Sequence, residues 1–544
     1  MLFRSLVLRP ADLDLSRLGE EGFALVPRGE GALVVGFTRT GCLYGLIELR
    51  QRLDDGRPLF AGKLETSTPM LRYRGQAGSF PFWLGTTMYA NQWSGYGPTE
   101  QTTDWWWFDE ANWCRHFQQL ACGRQNALVY WHPHPYPALV TVPGYPEAQY
   151  FSPELQEAYR KQFHWILDIA ARYGVRIYLL TWNICLTPKF AEAQGIPEFG
   201  ADTPLVRDYT KQAVKALFTE YPDLGGLVTM AAETPPNCVD FVREAIIDGL
   251  NEIEPRPRLL FWNWCSYPDQ AKALLDAYEG PSEAVHYLQY EQLFTDQVDP
   301  RVRMTADAVG RDVVCLGGLG TSTAWQYWCD LPFLQRLLAD LPEKRGSGSF
   351  FQGLDSYDWL GSKWLAREAI GRFQWDAKAD WPVSLWKVKL ARRYDSSELA
   401  DALWTAMTEG SGILLRFVQL IHSQTDHYHP YIGLPLVNLI AMPTIETYVF
   451  ENHDYIGEDG FLHPNMGLTW PNPDWGIRVM GVAEYTQSLA DGMPPRAAIP
   501  LEVADELATR AQTTLAALEQ CDLLLEGLEE AEATEARKIC ALLH

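Results

Sequence analysis

Residues 203–233 read TPLVRDYTKQAVKALFTEYPDLGGLVTMAAE. A helical stretch over 203–220 gives way, past a Pro-Asp and Gly-Gly break, to a short apolar run at 225–233. That run ends on a carboxylate, Glu233. Burying an ionised group is costly unless it is paired, so a carboxylate closing an apolar strand is a candidate for chemistry as well as for a structural ion pair.

The same helix-then-strand unit recurs on both sides. Upstream lie LRYRGQAG (71–78), NALVYWHP (126–133) and VRIYLLTWN (175–183), and downstream lie PRLLFWNW (257–264), AVHYLQYE (284–291), DVVCLGGLG (312–320) and GSFFQGLDS (348–356). Helical patterns separate most of them, including PELQEAYRKQFHWILDIAARYG before the third run and WLAREAIGRFQWD after the last. Alternation of strand and helix implies a parallel sheet. Eight strand candidates within about 300 residues imply a closed (β/α)₈ barrel. An open doubly wound sheet is the alternative, but no GxGxxG follows a strand and no GxxxxGK[ST] is present.

Outside the barrel, GFALVPRG and GALVVGFTR read as two strands with a glycine turn, followed by a helix whose Leu43, Leu46, Ile47 and Leu49 suit one side and which Gly56 can end. The expected division is a small α/β domain over 1–68, a (β/α)₈ barrel over 69–384 and a mainly α-helical region over 385–544. A polar Pro- and Asn-rich stretch, ENHDYIGEDGFLHPNMGLTWPNPDWG, interrupts the last of these. The long C-terminal helix, with its Leu and Ala stripe, is a candidate surface for a homodimer.

The chain has 544 residues with 47% hydrophobic and 21% charged, enough for a large core and too apolar for a mainly disordered chain. The formal net charge of −24 repels nucleic acid and anionic membranes, and neither is expected as a partner. No window approaches the apolar length of a membrane span, and MLFRSLVLRPADLDL lacks the apolar segment of a secretion leader, so a cytoplasmic location is expected. The ten cysteines include no CxxC pair and read as buried reduced thiols. His132 and His134 sit in HPHPYP and read as surface or pocket-lining groups; His427 and His429 have no third ligand nearby. No metal and no cofactor is expected. The 21 Trp, 25 Tyr and 23 Phe suit packing, and also suit sugar rings, whose flat C–H faces lie on aromatic planes.

In a (β/α)₈ barrel the active site lies at the C-terminal ends of the strands. Applied to the sequence, this yields Arg74 and Gln76, Trp131 and His132, Trp182 and Asn183, then Glu233, then Trp262, Asn263 and Trp264, then Tyr290 and Glu291, and finally Asp355 with Trp359 just beyond. Glu233, Glu291 and Asp355 are the candidate catalytic carboxylates and the others candidate substrate contacts. Two carboxylates in one pocket, one protonated and one ionised, are what glycosidic bond hydrolysis needs. Arg74 and Arg72 have two readings, recognition of a substrate carboxylate or pairing with a barrel carboxylate.

GFALVPRGEGALVVGFTRTGCLYGLIELRQRL (22–53) resembles the N-terminal α/β domain that precedes the barrel in α-glucuronidases and β-N-acetylhexosaminidases. YPDLGGLVTMAAE (221–233) resembles the strand-four region of the α-glucuronidases, and HYLQYEQ (286–292) the later strand where that family keeps a base carboxylate. The segment 353–381 is similar to the family's last strand and helix, with an RxxWD-like element at Arg372, Trp375 and Asp376. The resemblance implies an exo-acting glycosidase with Glu233 as acid and Glu291 as base or nucleophile. The sequence departs from the family at Asn263, where LLFWNWCS has no second base Asp, and Ala232 before Glu233 lacks the adjacent Asp of the hexosaminidases. A hexosaminidase-like or other exo-specificity remains an alternative, as does a sugar-binding protein without catalysis.

Overall fold

The computed structural model describes residues 14–29, 31–60, 62–79, 105–132, 134–181, 184–231, 238–263, 266–288, 296–298, 300–317, 329–352, 363–421, 479–480, 482–526 and 530–543. The chain begins with an antiparallel sheet of β1 (Phe23–Arg28), β2 (Gly31–Gly36) and β3 (Glu65–Ser67) in the order β2-β1-β3. Gly29, with φ of +60°, turns β1 into β2. Helix α1 (Arg39–Asp54) starts at Thr38, whose hydroxyl accepts the Gly41 amide, and lies on this sheet. Its approach depends on Gly45, where a Cβ would stand 2.4 Å from a Val34 methyl. Leu46 turns out to be exposed, and Tyr44 takes the buried position instead. The three-residue β3 is too short to show a strand period in the sequence.

Eight parallel strands form the closed barrel: β4 (Tyr73–Ser79), β5 (Ala127–Trp131), β6 (Arg176–Thr181), β7 (Gly226–Thr229), β8 (Leu259–Trp262), β9 (Ser282–Leu288), β10 (Val313–Gly317) and β11 (Gly346–Gln352). The ring closes where β11 pairs with β4, Gly348 against Tyr73 and Phe351 against Gln76. Each strand is followed by a helix: α2 (Glu110–Cys122), α3 (Pro153–Arg172), α4 (Pro204–Glu220), α5 (239–251, with a π-helical turn at Val242–Ile247), α6 (Pro268–Ala277), α7 (Pro300–Val309), α8 (Leu331–Asp340) and α9 (Trp364–Asp376). Ser152, Thr203 and Asp330 cap α3, α4 and α8, each with a proline in the first turn. Helix α7 escapes a reading of the sequence because its apolar face is thin; Val302, Ala306 and Val309 are buried but Met304 is exposed.

The pleat decides what each strand residue faces. Ala127, Val129, Tyr178, Leu180, Val228, Met230, Leu260, Trp262, Val285, Val314, Leu316 and Phe350 fill the barrel interior as one cluster. Their neighbours Leu128, Leu179, Leu227, Phe261, Ala284 and Cys315 join the larger layer between strands and helices. That outer layer continues into α10 (Val383–Tyr394), α11 (Ser397–Ile421), α12 (Pro500–Leu525) and α13 (Glu530–Leu543) through Leu399, Leu403, Leu518 and Ile539. Arg510 on α12 pairs with Glu409 at 2.7 Å, and Arg416 on α11 with Glu506 at 3.0 Å.

A buried charge cluster fastens the small sheet unit to the barrel and to α10. The wholly buried Arg372 of α9 reaches Asp55 at 3.1 Å and Glu368 at 2.8 Å, and Lys389 of α10 reaches the same two carboxylates at 2.9 Å each. Trp375 packs on Phe23 and donates to the Ser67 hydroxyl at 2.8 Å. The Arg372, Trp375 and Asp376 element is thus a fastening beneath the barrel. Burial works to raise the Asp55 and Glu368 carboxyls, but Arg372 and Lys389 outweigh it and hold both below the ordinary range. Groups lowered in this way contribute stability above their unfolded pKa of about 4, and it is lost as pH falls through the folded values. The urea unfolding midpoint is therefore expected to fall as pH drops below about 4. Arg372→Met, leaving the buried Asp55 and Glu368 to Lys389, with Arg57 3.2 Å from Asp55, is expected to cost about 3–5 kcal/mol at neutral pH. A midpoint within experimental error of the parent would refute this role for the cluster.

Candidate active site

All the strand C-termini open on one rim, as closure of a parallel barrel requires. Trp131 ends β5 and Trp262 ends β8, and both face inward. Their rings meet across the barrel edge to face, with centroids 5.2 Å apart and planes at 88°. Trp262 is buried and Trp131 half-buried, so the pair roofs the packed interior and offers part of Trp131 to the mouth. Leu180 and Met230 belong to the same inward cluster beneath this rim. Alternation from Tyr178 and Val228 is the sequence signal that singles them out.

His132 is wholly buried. Its amide donates to the Leu180 carbonyl at 3.0 Å, and its Nδ1 accepts the His134 amide at 2.9 Å. In the neutral ring this places the proton on Nε2. His134, expected at a surface or pocket wall, is instead buried between Tyr136 and Tyr209, with Nε2 3.0 Å from the Tyr209 hydroxyl of α4. Burial pulls its pKa down to about 3, so it is neutral at physiological pH. It anchors the loop after β5 from behind.

Asn263 follows Trp262 and is also wholly buried. Its amide donates to the Val285 carbonyl at 2.9 Å, and its carbonyl accepts from the Ser266 amide at 3.3 Å and hydroxyl at 3.1 Å. Its carboxamide oxygen and nitrogen have no hydrogen-bond partner among the described residues. Each such group costs about 1–3 kcal/mol unless something meets it.

The segments leaving the rim are tied at their bases. Ala231 and Cys238 flank residues 232–237, and the Cys238 amide donates to the Ala231 carbonyl at 2.6 Å. Burial, with Asp202 adding to it, raises the Cys238 thiol to about 11 and keeps it protonated. After β10, the Cys329 amide donates to the buried Ser411 hydroxyl of α11 at 2.7 Å, which links the C-terminal helices to the rim.

The expected carboxylates Glu233, Glu291 and Asp355 lie outside the described residues, as do Trp182, Asn183, Trp264, Tyr290 and Trp359. Their segments follow β7, β9, β11, β6 and β8 in the chain. Among the described residues, no group of three His, Cys, Asp or Glu is placed to hold a metal ion.

Arg74 does not belong to this rim. It is the second residue of β4, at the opposite mouth, and is wholly buried. Its guanidinium pairs with Glu21 at 2.8 Å, donates to the Leu71 and Arg124 carbonyls, and lies over the Trp375 ring. The pleat turns it outward, toward the small sheet unit, and away from any pocket in the barrel. Gln76 likewise faces out, donating to Gln125 at 3.0 Å.

A (β/α)₈ barrel with a small antiparallel sheet ahead of it and helices behind has a counterpart of the same fold among solved structures. In particular, 98% of the chain aligns with a GH138 enzyme that targets the pectin rhamnogalacturonan II, at a TM-score of 0.76 and 17% identity. The chain spans 63% of that enzyme's length. A beta-N-acetylhexosaminidase aligns over 70% of this chain and 89% of its own at a TM-score of 0.44 and 13% identity. CpGH84B aligns over 98% and 88% at 0.45 and 11%. No protein-family model matches the chain, and no curated protein matches it.

Two substitutions separate a ligand-facing rim from mere packing. Asn263→Ala removes no side-chain hydrogen bond seen among the described residues, so the unfolding free energy should stay within about 1 kcal/mol while affinity for a sugar ligand falls about tenfold or more. Trp131→Ala should weaken sugar binding by about tenfold, equivalent to ~1.4 kcal/mol. Calorimetric titration alongside urea unfolding checks both, and unchanged binding in both variants would remove these residues from the site.

Proposed function

We propose that this chain is an exo-acting glycoside hydrolase of α-glucuronidase-like type, removing a terminal sugar or uronic acid from an oligosaccharide. The observation that carries the reading is the barrel itself. Its β7 and β9 end toward the rim that Trp131 and Trp262 floor, and Glu233 and Glu291 follow those strands in the sequence.

Glu233 is the general acid in this reading, giving its proton to the glycosidic oxygen as the bond to the anomeric carbon breaks. Glu291 either takes a proton from the attacking water or attacks the anomeric carbon itself, in which case water later releases the sugar. Asp355 is an auxiliary carboxylate or substrate contact. The Trp131 ring takes the apolar face of the sugar, and Asn263, with Trp182, Asn183, His132, Trp264, Tyr290 and Trp359, supplies the remaining contacts. Arg74, buried at the opposite mouth, takes no part in substrate recognition. The uronate preference therefore rests on the family resemblance and on the fold neighbour that targets a pectin.

Hydrolysis of a panel of 4-nitrophenyl glycosides and uronic-acid oligosaccharides tests the assignment. One substrate should turn over with the parent, and Glu233→Gln and Glu291→Gln should each lose at least about 10²–10³ in kcat. Full activity of Glu233→Gln on the true substrate would overturn it. A folded parent that binds sugars but turns over none of the panel would favour the binding-protein alternative, which Asn263 in place of a second base carboxylate also favours.

A further inference from the structure

Between β6 and α4 the chain makes a detour on the rim side of the barrel, where residues 184–202 read ICLTPKFAEAQGIPEFGAD. Thr187 caps a helix over Pro188–Gln194, its hydroxyl accepting the Phe190 amide at 3.4 Å, and Gly195, at φ +65°, ends it. On either side of that helix the chain pairs with itself. The Leu186 amide donates to the Glu198 carbonyl and the Gly200 amide to the Ile184 carbonyl, each at 2.9 Å, flanking an antiparallel bridge between Cys185 and Phe199. The result is a two-stranded ribbon that starts three residues after the end of β6.

Facing residues of an antiparallel pair share one side of the ribbon, and their neighbours in sequence take the other. Ile184 and Leu186 belong to the apolar layer outside the barrel, as does Phe190, whose ring centroid is 4.8 Å from that of Tyr209 on α4. They fix the outer side. Glu198, opposite Leu186, falls on it too. Burial there raises its carboxyl, and one of its oxygens is buried with no partner among the described residues. Cys185 and Phe199 therefore take the other side, toward the barrel mouth. Cys185 is buried and Phe199 half-buried, so part of an aromatic ring stays open on that side. Gln194 donates to Glu147 at 2.8 Å, which ties the detour to the segment after β5 and holds the ring in place.

We propose that Phe199 is the platform for the leaving-group side of the substrate, taking the sugar unit next to the terminal one. This rests on the proposed function, in which the terminal unit lies on Trp131. An exo-acting pocket holds that unit at its floor, so the rest of the oligosaccharide runs up one wall. Strands β5 and β6 are neighbours, with Trp131 paired to Leu180, so the ribbon rises beside Trp131. Cys185 comes five residues after Leu180, which lifts Phe199 clear of the floor. A phenyl ring has no hydrogen-bonding group, so it reads a flat C–H face and not a pattern of hydroxyls. Phe199 thus selects for a ring in the leaving group without naming which sugar it is.

Calorimetric titration of the full chain, carrying Glu233→Gln to prevent turnover, compares free glucuronic acid with a trisaccharide ending in glucuronic acid. The trisaccharide should bind about tenfold tighter. Phe199→Leu, which keeps apolar bulk on the ribbon but no flat face, should weaken the trisaccharide about fivefold and leave the monosaccharide unchanged, and Phe199→Trp should keep both affinities. In the otherwise unaltered protein, Phe199→Leu should raise KM for the trisaccharide and leave that for a methyl glucuronide alone. A trisaccharide that binds no tighter than the monosaccharide, or not at all, would overturn the proposal. So would an unchanged trisaccharide affinity in Phe199→Leu, or an equal loss for both ligands, which marks a residue that only supports the fold. Length-dependent binding without turnover of any substrate in the panel counts against the catalytic reading alone and leaves the platform standing.

Discussion

Two parallel strands cannot be joined by a tight turn; the chain must cross back over the sheet before it can pair again. In this protein that constraint is met by a helix after every barrel strand, and closure of β11 on β4 leaves no unpaired edge. Everything else follows from it. Every strand points the same way, so whatever ends a strand is delivered to one rim and whatever begins a strand to the other. The pleat then divides each strand between an interior cluster and an outer layer under the helices.

The two mouths have different chemistry because of that division. The rim at the strand C-termini is floored by an aromatic pair and backed by buried groups, His132 and His134 among them, whose bonds run to backbone or to a tyrosine. The other mouth carries the ions. Arg74 and Glu21, Arg258 and Glu283, and the Asp55, Glu368, Arg372 and Lys389 cluster all lie at or beneath it. Keeping these ion pairs at the lower face gives the small sheet unit and α10 something to dock on without burying charge beside the aromatic floor.

Much of this is legible in the sequence, and the reasons are physical. Strands buried on both faces read as apolar runs, so β5, β6, β7, β8 and β10 stand out, while β4, β9 and β11, rich in Gly, Ser and charged residues, are marked by their place in the strand–helix alternation. Trp131 and Trp262 are at the rim as expected, and the structure adds that their rings meet. Facing and level are harder to read. Arg74 looks like the end of its strand although β4 runs on to Ser79, and Gln76 falls on the outward side of the pleat. His134 looks polar and exposed because its burial comes from α4, which is distant in sequence. Helix α7 and β3 carry too few buried residues for a period to register. The candidate carboxylates Glu233, Glu291 and Asp355 lie outside the described residues and follow β7, β9 and β11 in the sequence.

Strands β8 and β9 join the two ends of the barrel. Leu260 pairs with Glu283 and Trp262 with Val285, so the Arg258–Glu283 ion pair and the Trp262 ring sit on the same stretch of ladder. A slip of one residue between these strands would turn Glu283 outward and break its contact with Arg258 and Arg72. It would also displace the amide of Asn263 from the Val285 carbonyl and move Trp262 off Trp131. The buried ion pair at the lower mouth is thus a register device for the aromatic floor at the upper one. That role suits a buried charge pair, whose net stabilisation is small but whose misplacement is costly. The interior between them is filled by packed apolar side chains, so the two mouths communicate through the strands and not through an open channel.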